Sequence, residues 1–383
     1  MIKKSCKRLT PLQESLVKVY YYMNLLMSTK QRVLSGIRAT GRLHLGNYLG
    51  AVKGMLSLQE NPDYETLYMI ADLHTMTTPF FPAELRQNRL EVAMDYLAAG
   101  LDPQKSVIFA QSDLADLHAQ LMFYFTTVVS VARMSHLPTF KEKVKQYPHN
   151  INMALLNYPV LMAADILIYK ASAVPVGIDQ EPHLEIAREI ARKMNEIYGT
   201  DFPQPRRFET EAPYVPSLTG EGKMSKSVEG SYINLTDSLA VIRNRLAAVP
   251  TDSGKGEIKT VSITKFTTLS RNKFRNQNRF LYLSGGKESP GIAVLMEFVE
   301  LFQGKQARLQ YQKQYQSAGI QYNKLKIQLA EAIFKQLEPI QKRRREFESD
   351  PAKVEKILAA GAARARAIAQ TTVSDVRQKM GLK

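Results

Sequence analysis

Cysteine is nearly missing from this 383-residue chain. Cys6 stands alone, which excludes an internal disulfide framework and any four-cysteine zinc or iron–sulfur site. A reducing compartment, the cytoplasm, suits that count. No apolar run approaches the roughly 20 residues that span a bilayer, so a soluble protein with no membrane partner is expected. Acids are scarce beside bases. With 52 Lys and Arg against 36 Asp and Glu, the formal net charge is +16. That balance suits a polyanionic partner, nucleic acid foremost, because cations that neutralise phosphates release condensed counterions. Composition weighs this evenly against a surface kept soluble by surplus charge. The length exceeds what one core usually organises, and two domains are the default.

Residues 1–27 read as an extension outside the fold. Lys3, Lys4, Lys7 and Arg8 precede a mixed run at 16–27 that is broken by Lys18 and Asn24 and lacks a small-residue cleavage site, unlike a secretory signal. Glu14 is the segment's single acid, a scarcity shared with organelle transit peptides. A disordered or wrongly assigned start is the favoured reading, since Met23 and Met27 both stand just before the first strand.

From Arg32 onward, apolar runs too continuous for a sheet with one wet face alternate with helical patterns. Val33-Leu34, residues 67–71, Val107-Ile108-Phe109-Ala110 and Val174-Pro175-Val176 read as strands, and 84–99 reads as a helix closed by Gly100 and Pro103. The alternation predicts α/β architecture: a doubly wound, Rossmann-like parallel sheet over residues 28–236. Its ligands are expected at the carboxyl ends of strands near the topological switch point, where Gly36 and Gly177 fall. Residues 237–383 predict an all-α second domain, with helical spacing at 237–249, 292–302, 322–336 and 352–361. Within it, 251–290 interleaves Lys265, Arg271, Lys273, Arg275 and Arg279 with Phe266, Phe274, Phe280 and Tyr282. Cations with aromatics suit a surface that tracks a nucleic-acid backbone and stacks its bases. A solvated insertion is slightly favoured. The cluster Lys342-Arg343-Arg344-Arg345 reads as a solvated helix face, less often an RNA contact.

Two short stretches carry the chemistry. Ala39-Thr40-Gly41-Arg42-Leu43-His44-Leu45-Gly46-Asn47 follows the first strand, and a helix beginning near Gly46 would turn backbone N–H groups and its positive dipole end toward phosphate. Gly46, without a Cβ, would let adenine or ribose lie on the backbone, and His44 can donate to a phosphate oxygen in the transition state. Lys223-Met224-Ser225-Lys226-Ser227, preceded by Gly220 and Gly222, puts two ammonium groups where they can close on a departing pyrophosphate. Either stretch alone is a modest signal. Together they predict a site that holds ATP and cleaves it between its first two phosphates.

On these residues the chain resembles the class I aminoacyl-tRNA synthetases, and among them the tryptophan-specific members. His44-Leu45-Gly46-Asn47 is similar to that family's first signature, and Lys223-Met224-Ser225-Lys226-Ser227 matches its second, the KMSKS loop. Ser35-Gly36-Ile37, Ala71-Asp72-Leu73-His74, Thr139-Phe140-Lys141-Glu142, the stretch from Tyr158 to Leu167 and that from Val174 to Gln180 extend the likeness. The resemblance implies activation of L-tryptophan with Mg-ATP and transfer to the terminal adenosine of tRNA(Trp), by a homodimer. It also implies that 237–383 binds the anticodon.

The resemblance also implies residue roles. Asp165 would accept the indole N–H, Met162 and His74 would line the ring's slot with Gly36 beneath it, and Tyr158 and Gln180 would hold the α-amino and carboxylate groups. Arg38, Ala39, Thr40, Gly46 and Asn47 would lie along ATP. Gly177, Ile178, Asp179 and Val215 would surround ribose and adenine, with Met224, Ser225 and Ser227 in the loop. Lys141 would join His44, Lys223 and Lys226 as a catalytic group at the phosphates. The residues themselves permit this. A tryptophan ring donates one hydrogen bond and accepts none, so its pocket needs an acceptor among apolar walls. A lone aspartate in the apolar stretch at 161–167 is costly unless paired. A satisfied aspartate capping a neighbouring loop is the competing reading. His183 opens an amphipathic helix and reads as core packing with no role. Ala39, Ile178 and Arg38 depart from the proline, glutamate and glutamine common in the family. Some relatives with arginine at 38 carry an iron–sulfur cluster; a single cysteine excludes one here, and no protein-held metal is expected. Rival readings are a tyrosine-specific synthetase, which shares fold and signatures, a synthetase-derived RNA-binding regulator, and a small-molecule nucleotidyltransferase.

Overall fold

The computed structural model describes residues 30–208, 215–220, 222–226, 228–253 and 290–382. The extension at 1–27, Ser227 and nearly all of the basic, aromatic segment at 251–290 lie outside the described residues. Five parallel strands form one sheet: β1 (Gln31–Arg38), β2 (Tyr64–Ala71), β3 (Val107–Ala110), β4 (Ala173–Val174) and β5 (Arg206–Arg207), in the order β3-β2-β1-β4-β5. The order reverses between β1 and β4, so the crevice beyond their carboxyl ends is the switch point of a doubly wound sheet.

The strands are apolar throughout because both faces are covered. Along β2, Leu67, Met69 and Ala71 enter one core cluster while Tyr68 and Ile70 enter the other, the two-residue alternation of a strand sandwiched between helical layers. β5 had no apolar signal to read, being two arginines at the sheet's edge. The expected strand at 174–176 stops at Val174, one residue before Pro175, which has no N–H for the ladder.

Among the described residues ten α-helices reach nine residues or more: α1 (Pro82–Ala99), α2 (Ala115–Thr126), α3 (Pro138–Gln146), α4 (Met153–Ile168), α5 (Glu181–Tyr198), α6 (Leu239–Ala247), α7 (Pro290–Gln303), α8 (Lys305–Gln316), α9 (Tyr322–Ser349) and α10 (Pro351–Lys379). α1 ends where Gly100 takes φ +115°, the left-handed conformation that glycine adopts without a Cβ clash. α4 starts at Asn152, whose Oδ1 accepts the Leu155 N–H at 2.9 Å, and it runs apolar between α2 and α5. None of the helices among the described residues is long and apolar enough to cross a membrane.

α9 and α10 outrun the spacing that signalled them. Gly361, expected at a helix end, lies inside α10, and a Cβ there would collide with the Ile108 carbonyl of β3. It permits close approach of helix to strand. Ala365, Ala369, Val373 and Val376 then join the core cluster that holds Leu67 and Phe109, so the last helix packs back on the sheet. The run 342–345 is also no uniform solvated face. Arg343 Nε donates to the Ala98 carbonyl at 2.6 Å, and Arg344 is 1 % exposed. These side chains bind α9 to α1.

Candidate active site

A cavity of about 530 Å3 opens at the switch point, floored by β1 and β2 and walled by α3, α4 and the start of α5. Gly36, His74, Tyr158, Met162, Asp165 and Gln180, all read from sequence as contacts of the amino acid, line it, as do Arg38 and Asp179 from the nucleotide set. Gly36 is glycine for a local reason: a Cβ would sit 2.9 Å from the Met69 carbonyl on β2. Leu34, Met69, Leu155, Val174 and Val176 supply apolar wall.

Asp165 is 2 % exposed at the base of this wall. Its Oδ1 accepts from Gln111 Nε2 at 2.7 Å and lies 2.6 Å from His118 Nδ1; its Oδ2 lies 2.7 Å from His74 Nε2. Burial by itself raises the carboxyl's pKa, but the hydrogen bonds from His118 and His74 outweigh it and bring it down to about 2. Asp165 is therefore a satisfied buried aspartate and also a cavity-facing anion. With one of these partners on Oδ2, that oxygen has capacity for a further N–H donor. His118 Nε2 lies 2.8 Å from the Tyr169 hydroxyl, which orients the imidazole. Gln111 Oε1 accepts the Leu73 N–H at 3.1 Å, tying the carboxylate to the His74 turn. Sequence reasoning missed Gln111 and His118. Gln111 stands directly beyond the end of β3, where a polar residue after a fully apolar strand is the signal to follow.

His183 also faces the cavity. It is 2 % exposed and packs as expected, yet its Nε2 lies 3.1 Å from the Tyr158 hydroxyl and its buried Nδ1 has no protein partner. The expectation of core packing alone is corrected: in the first turn of α5 the apolar face runs out from the core onto the cavity. Burial, then the charge of His74, lowers its pKa to about 4. Gln180 Nε2 donates to Asp179 Oδ2 at 2.8 Å.

The cation that α3 brings to the cavity is Lys143, not Lys141. Two residues along a helix are about 200° apart, so the two cannot share a face, and Lys141 is exposed. Burial and the nearby Arg38 charge lower the Lys143 pKa. Arg38 ends β1 with Nη2 donating to Thr78 Oγ1 at 2.6 Å, while its buried Nε has no protein partner. That N–H is an unmet buried donor, and the Arg38 side chain also lines the cavity.

Two residues beyond Arg38 the signatures meet. Lys226 Nζ donates to the Thr40 carbonyl at 3.0 Å. Met224, 3 % exposed, is pinned by its N–H to the Val215 carbonyl at 3.1 Å, and Lys223 pairs through its backbone with Pro216. Ser231 Oγ donates to the Ser225 carbonyl at 2.5 Å. Asn234 bridges His44, with the Leu45 N–H on the Ile233 carbonyl at 2.9 Å. That bond takes one helix-start donor the sequence reading had turned to phosphate. Gly46 serves a neighbour inside the protein: a Cβ would lie 2.8 Å from His44 Cε1 and 3.3 Å from Met224 Cβ. Asn47 Oδ1 accepts the His44 N–H at 3.2 Å. Ala39 is fully buried, Gly177 leaves room for Asp179, and the Ile178 side chain lies outside the described residues.

His44 is 7 % exposed, with Nδ1 buried and without a protein partner. Burial first, then the charges of Lys226 and Lys223, hold its pKa down at about 4. It is a neutral imidazole at pH 7, able to donate one hydrogen bond. Burial likewise lowers Lys226 to about 8, against the pull of Asp95 and Glu91. A cavity with one buried anion thus adjoins, through three residues at the end of β1, a cluster of cations around a neutral histidine.

A parallel sheet in this order, an amino-acid-sized cavity at its switch point and paired signatures beside it define a class I tRNA synthetase. The family model of class I tRNA synthetases (W and Y) matches residues 27–338, and the chain belongs to that family. On the tryptophan side, the chain is 36% identical over 356 residues to the tryptophan–tRNA ligase of Porphyromonas gingivalis, covering 92% of this chain and 100% of that one. The tryptophan–tRNA ligase of Clostridium tetani is 35% identical over the same length, with 92% and 96% covered. Tryptophanyl-tRNA synthetase of Campylobacter jejuni, solved with ADP and tryptophan, superposes with a TM-score of 0.74 at 30% identity over 91% of this chain and 99% of its own. A tyrosyl-tRNA synthetase from Archaeoglobus fulgidus, with 85% and 94% covered, shares the fold at TM-score 0.58 and 18% identity.

Proposed function

We infer that this chain is a tryptophan–tRNA ligase that uses ATP and works in two steps. The tryptophan carboxylate attacks the α-phosphorus of Mg-ATP, the bond to the β-phosphate oxygen breaks, and pyrophosphate leaves from tryptophanyl-adenylate. A hydroxyl of the tRNA's terminal adenosine then attacks the acyl carbon, and AMP leaves. Magnesium enters with the nucleotide as part of the substrate.

The observation that carries this reading is the bond from Lys226 to the Thr40 carbonyl beside His44, two residues from the cavity that holds Asp165. Asp165 Oδ2 takes the indole N–H, and Met162 and the neighbouring aliphatic residues pack the ring. Arg38, on the cavity wall at the end of β1, would set its guanidinium beside the charge that develops during attack. Lys143, Lys223 and Lys226 take the leaving pyrophosphate, and neutral His44 donates to it without adding a charge of its own. No side chain need become covalently attached; positioning and electrostatics supply the rate. Residues 237–383 read as the part that meets the anticodon, and a homodimer is the assembly that the family suggests.

The test is ATP–pyrophosphate exchange with each of the twenty amino acids, in the wild type and in Asp165→Ala. Exchange is expected with tryptophan alone and to be lost in the variant. Exchange driven by tyrosine, or tryptophan exchange unchanged in Asp165→Ala, overturns the assignment.

A further inference from the structure

We infer that Arg344 is a positioning residue for amino-acid activation: from α9 it acts through Asp95 and Glu91 of α1 to hold residues 41–44 and the lysine loop in register. This deepens the function proposed above and rests on it. Arg344 is the largest fully buried side chain among the described residues, at 1 % exposure. Its guanidinium pairs with Asp95 Oδ1 and Glu91 Oε2, donates to the Glu91 carbonyl at 3.2 Å and binds Glu348 Oε1 at 2.9 Å.

The two acids of α1 also bond the residues just ahead of the first signature. Asp95, 0 % exposed, accepts the Leu43 N–H through Oδ2 at 2.5 Å, and Glu91 Oε2 accepts Arg42 Nε at 2.9 Å. Leu43 precedes His44, and its carbonyl accepts the Leu235 N–H at 3.0 Å from the turn that follows the lysine loop. The same α9 holds that segment's far end: Gln341 Nε2 donates to the carbonyls of Leu235 and Asp237 at 2.8 and 3.0 Å. One helical turn of α9 therefore fastens both backbones that meet at the bridge between His44 and Asn234.

Charge supports the geometry. Burial pushes the Asp95 carboxyl up to about 6 even against the neighbouring Arg344 cation. Without that cation Asp95 takes up a proton and becomes a weaker acceptor for the Leu43 N–H. Asp95 and Glu91 are also the acids that favour the Lys226 ammonium. A buried ion pair is weak grounds for stability, since a well-packed apolar pair often replaces it without loss. Its links to Leu43 and Arg42 have no apolar substitute.

The experiment uses the full chain as wild type, Arg344→Met, the double variant Arg344→Met with Asp95→Leu, and Arg345→Gln as control. Exchange is resolved into kcat and the KM for tryptophan and for ATP, beside a thermal melt. In Arg344→Met, kcat falls about 10–100-fold, as remote misplacement of a reacting group does. The KM for tryptophan stays within about twofold, because the Asp165 network makes no bond to Arg344. The double variant melts at or above the Arg344→Met temperature yet keeps the low kcat. Arg345, exposed on the same turn, leaves all values unchanged. A double variant that recovers wild-type kcat overturns the inference, as does a loss carried by the tryptophan KM. If Arg344→Met does not fold, the double variant decides. Lack of tryptophan-dependent exchange in the wild type itself would instead overturn the function on which the inference rests.

Discussion

Asp165 and Lys226 are charges in one site held in opposite ways. Asp165 sits among three side-chain partners, two of them imidazoles, His118 held in turn by Tyr169, and burial that ought to neutralise it is more than offset. Lys226 donates to a backbone carbonyl, and its pKa has moved toward neutrality. In the function proposed above, the Asp165 end would be preformed and would select the amino acid by shape and a fixed acceptor. The Lys226 end would exchange its bond to the Thr40 carbonyl for phosphate, where interactions specific to the transition state belong.

Substitutions at each end should therefore fail differently. Asp165→Asn puts an N–H among His74, Gln111 and His118, so kcat/KM for tryptophan should fall about 10³-fold or more, with about 3–5 kcal/mol lost in urea unfolding. Lys226→Gln should lower kcat about 10²–10³-fold, the cost of one transition-state donor, with tryptophan affinity and urea midpoint unchanged. An equal loss in tryptophan affinity would mean that the two ends are not separable. Gly46→Ala should slow exchange about tenfold by pushing the His44 ring or Met224 aside, again without moving the tryptophan KM. The mildest test is pH. A cation whose pKa is lowered loses its charge at lower pH than usual, so kcat/KM for ATP should decline as pH rises through about 8. Lys226→Arg should move that decline beyond the accessible range. His44, held near 4, should add no acid limb above pH 5.

The sheet was readable because strands buried on both faces are apolar without interruption, and its glycine-marked ends led to the switch point. β5 was not, since two arginines at an edge carry no periodic signal. Shared phosphate chemistry, then resemblance, placed the two stretches in one site; local pattern says nothing of a contact between Lys226 and Thr40. Charge misled where burial inverted it. Arg343 and Arg344 look like solvent residues until the Ala98 carbonyl is seen opposite the first, and Asp95 and Glu91 opposite the second, all far away in sequence. On α3 the resemblance points to Lys141, and the packing of α3 against α4 is what turns Lys143 to the cavity instead.

The seam between Gly361 and the Ile108 carbonyl bears on how the chain is made. During synthesis at roughly 5–20 residues per second, β3 must wait on the order of tens of seconds for the segment that roofs it. A nascent chain halted in that interval offers a greasy strand to chaperones or to its own kind. Gly361→Val, which would keep the roof from seating, should accordingly show itself as poor soluble yield before any kinetic defect can be measured.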